Sequence, residues 1–373
     1  MTVGVVTTSF PRFEGDPAGS FVEGLSRWLA RYHDVEVVCA DAERPLFYRG
    51  GAPEELSRGG TAWLAAAAFS SRLAIEVAWR ARRWDRIVSH WMVPCGIAAA
   101  IAARPRRLPH LCIAHGSDSR LLASSRVGLG LARWLAAESE LVYVAEALRL
   151  EGVPGRVAPM GVEVEALRAS EGRVAARQQL GLSDDTLVLV WLGRLTVGKG
   201  PDVLCDALSP PLPGVVALVA GDGPWSSELR TRAANNPSVR SMGQLVGAAK
   251  ASMLASADVL VLSSRVDAAP VVIAEAQACG LPVVASRVGG VPELLTDGVD
   301  GLLTAPGDAL ALRAAILRLQ QTPSLRKTLA AASLARGVDR HWDMAAPRVF
   351  GRWLPPPTAK ASRDPHVFEV RRV

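Results

Sequence analysis

Short apolar runs rich in β-branched residues alternate with longer helical patterns along almost the whole chain. This alternation is typical of α/β proteins with parallel sheets. Phe21–Tyr32 is the clearest of the predicted helices. The predicted strands, six in each half of the chain, are Val3–Thr8, Val35–Ala40, Ile87–Ser89, Leu111–Ala114, Leu141–Val144, Val157–Pro159, Leu187–Leu192, Val215–Gly221, Val239–Ser241, Val259–Leu262, Val283–Ala285 and Leu302–Thr304.

The alternation pauses in a mixed polar segment, Gly161–Thr186, and then restarts. A chain of 373 residues is also longer than those that usually fold around a single hydrophobic core. We therefore expect two doubly wound domains, over residues 1–165 and 166–340. Residues 341–373 are predicted to form a C-terminal helix, packed back on the N-terminal domain, and a tail. The tail, Leu354–Val373, is proline-rich and then charged, so we expect it to be extended or poorly ordered.

Composition narrows the class of protein. The net charge is +6, and no basic stripe with interleaved aromatic residues is present, so nucleic-acid binding is not expected. The five cysteines are scattered without a C-x-x-C pair, which favours reduced thiols in a cytoplasmic protein. The first residues lack a basic leader and read as a strand. The alanine-rich stretches are too short to span a bilayer.

Two cations follow the first strand of the second half. The loop Gly193–Gly200, "GRLTVGKG", carries Arg194 and Lys199 just before a predicted helix. A diphosphate suits paired cations at a helix N-terminus. The spacing is not that of a Walker A loop. The alternative is that both residues are solvated surface cations.

Two acids flank a predicted helix start in the stretch Ser263–Ser286, "SSRVDAAPVVIAEAQACGLPVVAS". Pro270 suits the first helical turn and Gly280 suits the end of the helix. Glu275 would project from a helix face, where a carboxylate can accept hydrogen bonds from the two hydroxyls of a ribose. Asp267 precedes the helix and can accept from sugar hydroxyls. The alternatives are a helix N-cap for Asp267 and a solvated position for Glu275.

The spacing of these acids, seven residues between Asp267 and Glu275, resembles the E-x7-E signature of retaining glycosyltransferases of the GT-B fold, family 4. The segments "LVWLGRLTVGKGPDVL", "LVAGDGP" and "VRSMGQLV" resemble the family's phosphate-binding segment, its next strand and turn, and the segment against the nucleotide base. "SFPRFEGDPAGSFV", "SHWMVPCG" and "IAHGSD" match further family positions. The chain departs from the signature at its first acid, since Asp267 is one methylene shorter than Glu. The contact with a hexose is therefore expected to differ, or to pass through water.

The resemblance implies two Rossmann-like domains that face an interdomain cleft. It also implies transfer of a hexosyl group, with retention, from a UDP-, GDP- or ADP-sugar to a hydroxyl acceptor such as a glycan, a lipid-linked glycan or a small molecule. No cofactor or metal is implied, and a D-x-D metal motif is absent from the sequence.

Residue by residue, the resemblance implies that Arg194 and Lys199 bind the diphosphate. Asp267 and His115 would lie at the transferred sugar, so these four residues form the catalytic set. The residues implied to bind the donor are Gly19, Gly193, Gly221, Gly223, Gln244, Leu245, Ala269, Val271, Val272 and Glu275. Those assigned to the acceptor are Phe10, Arg12, His90 and Asp118. His90 also suits a structural role, and Asp118 suits either the orientation of His115 or the capping of a turn.

Other interpretations stay open. A dehydrogenase would need a third glycine where Ser226 stands, and a sugar-nucleotide-binding protein without catalysis would tolerate Asp267. The basic stretch Arg72–Val88 suits either a solvated helix face or peripheral contact with the inner membrane surface. The loop-rich segment Glu43–Trp63 lies where acceptor-contacting loops occur in such enzymes.

Overall fold

The computed structural model describes residues 1–13, 16, 18–40, 59–354 and 368–373. Backbone contacts divide them into two compact units, Met1–Gly161 with Trp342–Val373 (unit 1) and Val162–His341 (unit 2). Most of the segment Glu43–Trp63 therefore lies outside the described residues.

Unit 1 is built on a seven-stranded sheet in which every neighbouring pair is parallel, in the order β13-β2-β1-β3-β4-β5-β6. Its strands are β1 Thr2–Thr7, β2 Asp34–Cys39, β3 Arg86–His90, β4 His110–Ala114, β5 Glu140–Tyr143, β6 Arg156–Val157 and β13 Glu369–Arg372. Its helices are α1 Ser20–Ala30, α2 Gly60–Arg80, α3 Ile97–Ala103, α4 Ser117–Ala123, α5 Arg126–Glu138 and α15 Trp342–Phe350.

Unit 2 is built on a six-stranded parallel sheet in the order β12-β11-β10-β7-β8-β9. Its strands are β7 Leu187–Leu192, β8 Val215–Ala220, β9 Val239–Gly243, β10 Val259–Leu262, β11 Val283–Ser286 and β12 Gly301–Thr304. Its helices are α6 Val164–Arg168, α7 Arg173–Gln179, α8 Pro201–Ala207, α9 Ser226–Ala234, α10 Gly247–Ser256, α11 Val271–Ala278, α12 Val291–Leu294, α13 Ala309–Gln321 and α14 Pro323–Gly337.

The sheet of unit 2 is covered on both faces because its central strands β7, β8 and β10 are apolar along their whole length. Leu189 and Trp191 of β7 pack into one buried cluster, which includes Ile316 of α13. Val190 packs into a second cluster, which includes Ile273 of α11. Successive side chains of a strand point to opposite faces, so a continuous apolar run requires helices on both sides. This is the doubly wound arrangement predicted from the sequence.

The twelve predicted strands are confirmed, with bounds that shift by at most two residues. The predicted helix Phe21–Tyr32 is α1, Ser20–Ala30. The placement of Pro270 in the first helical turn is wrong by one residue, because α11 begins at Val271 and Pro270 is its cap residue. Gly280 follows the helix end with φ of +70°, as a stop residue does.

A thirteenth strand, β13, is not predicted by the sequence pattern. It lies in the tail that we expected to be extended or poorly ordered, and it pairs in parallel with β2 at the edge of the unit 1 sheet. The Arg80 guanidinium contacts the carboxylates of both Glu36 in β2 and Glu369 in β13. The charged end of this tail therefore forms an edge strand, and its Glu369 forms an ion pair with Arg80.

The last helix of unit 1, α15, packs against α1. Trp28 Nε1 donates to Asp343 Oδ1 at 2.9 Å, and the rings of Trp28 and Phe350 stack with centroids 5.7 Å apart. The cysteines are all free thiols. None of the helices among the described residues has the length and apolar character needed to cross a membrane.

Candidate active site

The strand order of unit 2 fixes where a ligand can enter. The chain runs from β7 outward to β8 and β9 on one side and continues with β10, β11 and β12 on the other. Ligands of such sheets bind at the carboxyl ends of the strands, at the point where the order reverses. That point lies between β7 and β10, so the loops after these two strands, residues 193–200 and 263–270, border the crevice.

A cation and an acid from these two loops form an ion pair. Lys199 Nζ donates to Asp267 Oδ2 at 2.7 Å. The same oxygen accepts from Ser264 Oγ at 3.1 Å, and Oδ1 accepts from the backbone N–H of Ala268 at 3.0 Å. Asp267 is only 8% exposed, whereas the side chain of Lys199 is one third exposed. The N-cap interpretation of Asp267 is wrong, since Pro270 occupies that position.

A second ion pair holds the Lys199 loop in place. Arg265 donates to both carboxylate oxygens of Asp202, at 2.8 and 2.6 Å, and to the carbonyl oxygen of Val197 at 2.9 Å. Burial raises the pKa of Asp202, but the hydrogen bonds and charge of Arg265 outweigh burial and leave that pKa below its usual value. The backbone N–H groups of Arg265 and Val266 both donate to the carbonyl oxygen of Gly198. The turn that carries Lys199 is therefore fixed to the loop that carries Asp267.

Arg194 lies at the start of the same loop, where glycines bring neighbouring backbones close together. Gly221, after β8, has φ of +153°, and a Cβ atom there would lie 1.8 Å from the carbonyl oxygen of Gly193. At Gly223 it would lie 2.6 Å from the carbonyl oxygen of Leu195. The loops after β7 and β8 are thus packed backbone to backbone, which explains the need for glycine at 221 and 223.

Glu275 projects from α11 and is paired with a lysine that the sequence analysis does not single out. Lys250 Nζ, on α10, lies 2.6 Å from Glu275 Oε1. The Glu275 side chain is 13% exposed, so its interpretation as a solvated helix residue is wrong. The sequence offers no signal for this pair, because 25 residues separate its members.

The remaining residues assigned to the donor follow β10 and β9. Ala269, Val271 and Val272 are half-buried at the start of α11, where the first N–H groups of a helix lack partners within the helix. Gln244 and Leu245 directly follow β9, and Leu245 packs against the second core cluster while Gln244 is exposed. All assigned residues of unit 2 therefore follow β7, β8, β9 or β10, which are adjacent in the sheet.

In unit 1, two histidines that follow neighbouring strands contact each other. His90 ends β3 and His115 follows β4, with His90 Nδ1 3.0 Å from His115 Nε2. Burial, and less strongly the charge of His115, lowers the pKa of His90 well below its usual value, and burial lowers the pKa of His115 to about 3. Both imidazoles are therefore neutral at pH 7, and one donates a hydrogen bond to the other.

The direction of that hydrogen bond follows from the second nitrogen of His90. Among the described residues, His90 Nε2 is buried without a hydrogen-bond partner. A buried N–H without an acceptor is rarer than a buried acceptor without a donor. This favours a proton on His90 Nδ1, which donates to His115 Nε2. The proton of His115 is then on Nδ1.

Asp118 shapes the loop beneath His115. Its Oδ2 accepts from the backbone N–H of Met92 at 2.7 Å, and its Oδ1 accepts from those of His115 at 3.2 Å and Gly116 at 2.8 Å. Burial raises the pKa of Asp118, although the hydrogen bonds from the backbone N–H groups of Met92 and Gly116 oppose the rise. Of the two sequence-based interpretations, orientation of His115 agrees with these contacts. Contact of Asp118 with an acceptor stays a prediction.

The loop after β1 carries the remaining assigned residues of unit 1. Gly19 has φ of +67°, and a Cβ atom there would lie 2.2 Å from the carbonyl oxygen of Ser9, so the loop folds tightly on itself. The Asp16 carboxylate accepts from the backbone N–H groups of Arg12 and Ala18. Phe10 is buried, 4% exposed, with its ring edge-on to Phe368 next to β13.

Two aromatic residues beside His115 are not found by sequence reasoning. The ring centroids of Phe21 and Trp91 lie 4.9 and 4.8 Å from that of His115. Trp91 has φ of +68°, a left-handed backbone that costs a non-glycine residue on the order of 1 to 3 kcal/mol. Such strain is concentrated at functional sites. Adjacency to His90 in "SHW" is the signal that would have found Trp91.

Within the described parts of the chain, no three histidine, cysteine, aspartate or glutamate side chains are grouped so that they would hold a metal ion.

Known families match both halves of the chain. A family model described as Glycosyltransferase Family 4 matches residues 18–166. A second, described as Glycosyl transferases group 1, matches residues 186–322.

Two relatives illustrate the extent of sequence similarity. The D-inositol 3-phosphate glycosyltransferase of Actinosynnema mirum is 36% identical over 203 residues, which are 50% of this chain and 48% of that protein. The protein of the same name from Xylanimonas cellulosilytica is 30% identical over 279 residues, 71% of this chain and 66% of that protein. The chain thus spans about half of the first relative and 66% of the second.

A solved structure shows the same fold over nearly the whole chain. HepE from Anabaena, in complex with UDP-glucose, aligns with a TM-score of 0.72 at 22% identity, covering 94% of this chain and 98% of that chain. At this identity the likeness shows the fold, which is the GT-B fold of two Rossmann-like parallel-sheet domains. With both family models matched in order along the sequence, this chain belongs to the GT-B glycosyltransferases of group 1 and family 4.

Proposed function

We propose that this protein transfers a hexosyl group from a nucleotide-diphosphate sugar to a hydroxyl acceptor, with retention of anomeric configuration and without a metal ion. The acceptor class is a glycan, a lipid-linked glycan or a small molecule. The donor nucleotide is UDP, GDP or ADP. The proposal goes beyond family membership, and its main support is the arrangement of charge in unit 2.

One observation carries it. An ammonium group, Lys199 Nζ, is held 2.7 Å from a buried carboxylate at the switch point of a doubly wound sheet, with its side chain one third exposed. A cation fixed in this way suits an anionic ligand. Glu275, on the helix that follows the Asp267 loop, supplies a half-buried carboxylate for ribose hydroxyls. A diphosphate and a ribose are the two parts that all three donor nucleotides share.

The reaction follows from where charge develops. When the bond between the anomeric carbon and the phosphate oxygen breaks, the electron pair goes to the phosphate and positive charge builds on the sugar. Lys199 and Arg194 stabilise the departing diphosphate, and such preorganised charge is usually the largest contribution to catalysis. The acceptor hydroxyl attacks the anomeric carbon, and its proton goes to a phosphate oxygen, so no protein base is required.

We assign His115 to the transferred sugar, as a neutral group. Its low pKa, about 3, rules out an imidazolium near pH 7. In the favoured tautomer, His115 donates from Nδ1, so it suits a hydroxyl oxygen of the hexose. His90 supports that tautomer through Nδ1.

The contacts of Asp267 favour a different role from the sugar contact that the resemblance implies. Lys199, Ser264 and the Ala268 amide already hold its two oxygens. We assign Asp267 chiefly to holding Lys199 toward the diphosphate. The shorter side chain fits this role, because it keeps the carboxylate inside its own loop.

The rival functions are less well supported. In place of the third glycine of a dinucleotide-binding loop, Ser226 accepts a hydrogen bond at Oγ from the Gly223 N–H at 3.0 Å. The Ser226 side chain therefore occupies the backbone N–H of this turn. In a dehydrogenase the pyrophosphate approaches the backbone at this point, where glycine leaves room for it. A binding protein without turnover remains as the alternative that the assay below distinguishes.

We also propose peripheral contact with an anionic membrane surface through α2. Leu64, Ile75 and Trp79 are 72%, 71% and 47% exposed. Their spacing puts them on one helix face with Arg72, and Arg83 just beyond the helix lies over the Trp79 ring at 5.0 Å. Apolar residues with flanking arginines suit the boundary between headgroups and acyl chains.

The decisive experiment for the transferase function compares Lys199→Met with Lys327→Met, a change at an exposed lysine on α14. Released nucleoside diphosphate is measured with UDP-, GDP- and ADP-hexoses. We expect Lys199→Met to lower turnover about 100-fold or more, as for loss of a charge partner of the transition state, and Lys327→Met to leave it unchanged.

Glu275→Ala belongs in the same assay and should weaken donor binding more than it slows turnover. Wild-type protein that binds a sugar nucleotide but never releases the diphosphate would point to the binding protein instead. Normal turnover in Lys199→Met would remove the phosphate role.

A further inference from the structure

We propose that Lys250 and Glu275 read the ribose of the donor nucleotide as a pair, so that Lys250 determines the preference for a ribonucleotide. This inference rests on the proposed function, because it deepens the assignment of Glu275. The pair is formed by Lys250 Nζ and Glu275 Oε1, 2.6 Å apart.

The two residues lie on helices that follow the carboxyl ends of two parallel strands of the unit 2 sheet. Lys250 is the fourth residue of α10, which begins after the loop that follows β9. Glu275 is the fifth residue of α11, which follows β10. The α10 lysine therefore approaches Glu275 from the side of the β9 loop, where Gln244 and Leu245 are assigned to the base.

Burial leaves part of each group open to a ligand. The Glu275 side chain is 13% exposed and the Lys250 side chain 25% exposed. The ion pair uses one carboxylate oxygen and one of the three N–H bonds of the ammonium. Among the residues that the structure describes, this is the hydrogen bond that the pair makes, so Oε2 of Glu275 and the other N–H groups of Lys250 can meet a ligand at the same place.

A ribose diol matches this pair better than it matches a carboxylate alone. Each hydroxyl donates one hydrogen bond and also accepts. A carboxylate only accepts and an ammonium only donates, so the carboxylate takes the hydroxyl proton while the ammonium donates to the hydroxyl oxygen. Removing a hydroxyl then leaves two charged groups partly unsatisfied in a half-buried site, which is costly.

A purely structural role would look different. If Lys250 only neutralised the Glu275 carboxylate, its loss would destabilise the fold or lower the affinity for all nucleotides by one common factor. It would not change how strongly the protein distinguishes ribose from deoxyribose. The ratio of these affinities therefore separates the two roles.

The experiment measures dissociation constants for UDP, GDP and ADP and for their 2′-deoxy and 3′-deoxy forms by calorimetry. The variants are Lys250→Met, which removes the charge at similar size, Lys250→Arg, which keeps it, and Lys327→Met as the matched control. Thermal melts without nucleotide report folding. We expect the best nucleotide to bind wild type about ten-fold or more tighter than at least one deoxy form. In Lys250→Met that ratio should fall to about three-fold or less, and Lys250→Arg should restore part of it.

Each result decides the question. An unchanged ratio in folded Lys250→Met, whether both affinities hold or both fall equally, overturns the inference. If Lys250→Met does not fold, Lys250→Gln, which also removes the charge, takes its place: a ratio that falls to about three-fold or less supports the inference, and a ratio equal to that of wild type overturns it. Wild-type protein that binds none of the three nucleotides overturns the proposed function itself. That outcome is distinct, because it appears before any variant is compared.

Discussion

Asp267 is one methylene shorter than the glutamate of the family signature, and its carboxylate is engaged by neighbouring groups of unit 2. Its carboxylate accepts three hydrogen bonds within unit 2, and the one from Lys199 is also an ion pair. A carboxylate offers about four such positions. Most of the hydrogen-bonding capacity of the carboxylate is therefore used by groups of the protein itself.

The change Asp267→Asn tests this role. Because the lost charge acts through Lys199 on the diphosphate, we expect the affinities for UDP and for UDP-glucose, the sugar nucleotide bound in the HepE structure, to fall by the same factor, about ten-fold. Calorimetric titration with both ligands is the measurement.

Direct contact with the hexose would give another pattern, a loss for UDP-glucose with UDP unaffected. Asp185→Asn, at an exposed aspartate before β7, serves as the matched control and should change neither affinity. Asp267→Glu adds a second check. Compared with wild type, the longer side chain should strengthen the binding of UDP-glucose only if the carboxylate contacts the hexose.

At the scale of elements, α2 combines a packed face with an exposed one. Leu73 and Val77 are fully buried in the core of unit 1, whereas Leu64, Ile75 and Trp79 are exposed. The helix ends at Arg80, so the predicted basic stretch Arg72–Val88 divides between this helix, a turn and β3. The exposed face is therefore apolar with basic residues along it, and not only basic.

Replacing Ile75 and Trp79 by glutamate should abolish binding to vesicles that contain phosphatidylglycerol. The substitutions remove exposed apolar area and add negative charge that anionic lipid repels. Co-sedimentation with vesicles of phosphatidylcholine, with and without phosphatidylglycerol, measures the effect.

Leu310→Glu, at an even more exposed apolar position on α13 of unit 2, is the control for this experiment and should leave vesicle binding intact. Wild-type protein that stays in the supernatant with both kinds of vesicle would contradict the membrane proposal.

At the scale of the whole molecule, acid stability depends on histidines buried in unit 1. Burial lowers the pKa of His110 to about 3 from a usual 6.5, and His110 Nε2 lies 2.8 Å from Ser89 Oγ. The unfolded chain takes up a proton near pH 6.5, but folded His110 does not until about pH 3. The contribution of His110 to stability is therefore fully present above about pH 7 and is lost as the pH falls from 6.5 toward 3.

His110→Gln should flatten this loss. At pH 5 one such histidine lowers the free energy of unfolding by about 2 kcal/mol relative to its value at high pH. Urea unfolding at pH 7 and pH 5 should thus show a drop for wild type that exceeds the drop for the variant by about that amount. Equal drops for the two proteins would show that His110 is accessible to protons in the folded state.

The sequence by itself determined the strands, their order along the chain and which loops carry polar groups. Apolar β-branched runs form strands through local propensity and burial, and glycines such as Gly221 mark close backbone contacts. Loops at the carboxyl ends of parallel strands meet at one sheet edge, so the residues of unit 2 assigned to the donor could be predicted to lie together.

Only the tertiary structure decided which groups pair. Lys199 and Asp267 are 68 residues apart, and Lys250 and Glu275 are 25 residues apart. Strand β13 joins β2 from the far end of the chain. An ion pair, a histidine tautomer and an edge strand depend on distances of a few ångströms between segments remote in sequence. Side-chain type and local periodicity do not encode such distances, because the packing of the whole unit sets them.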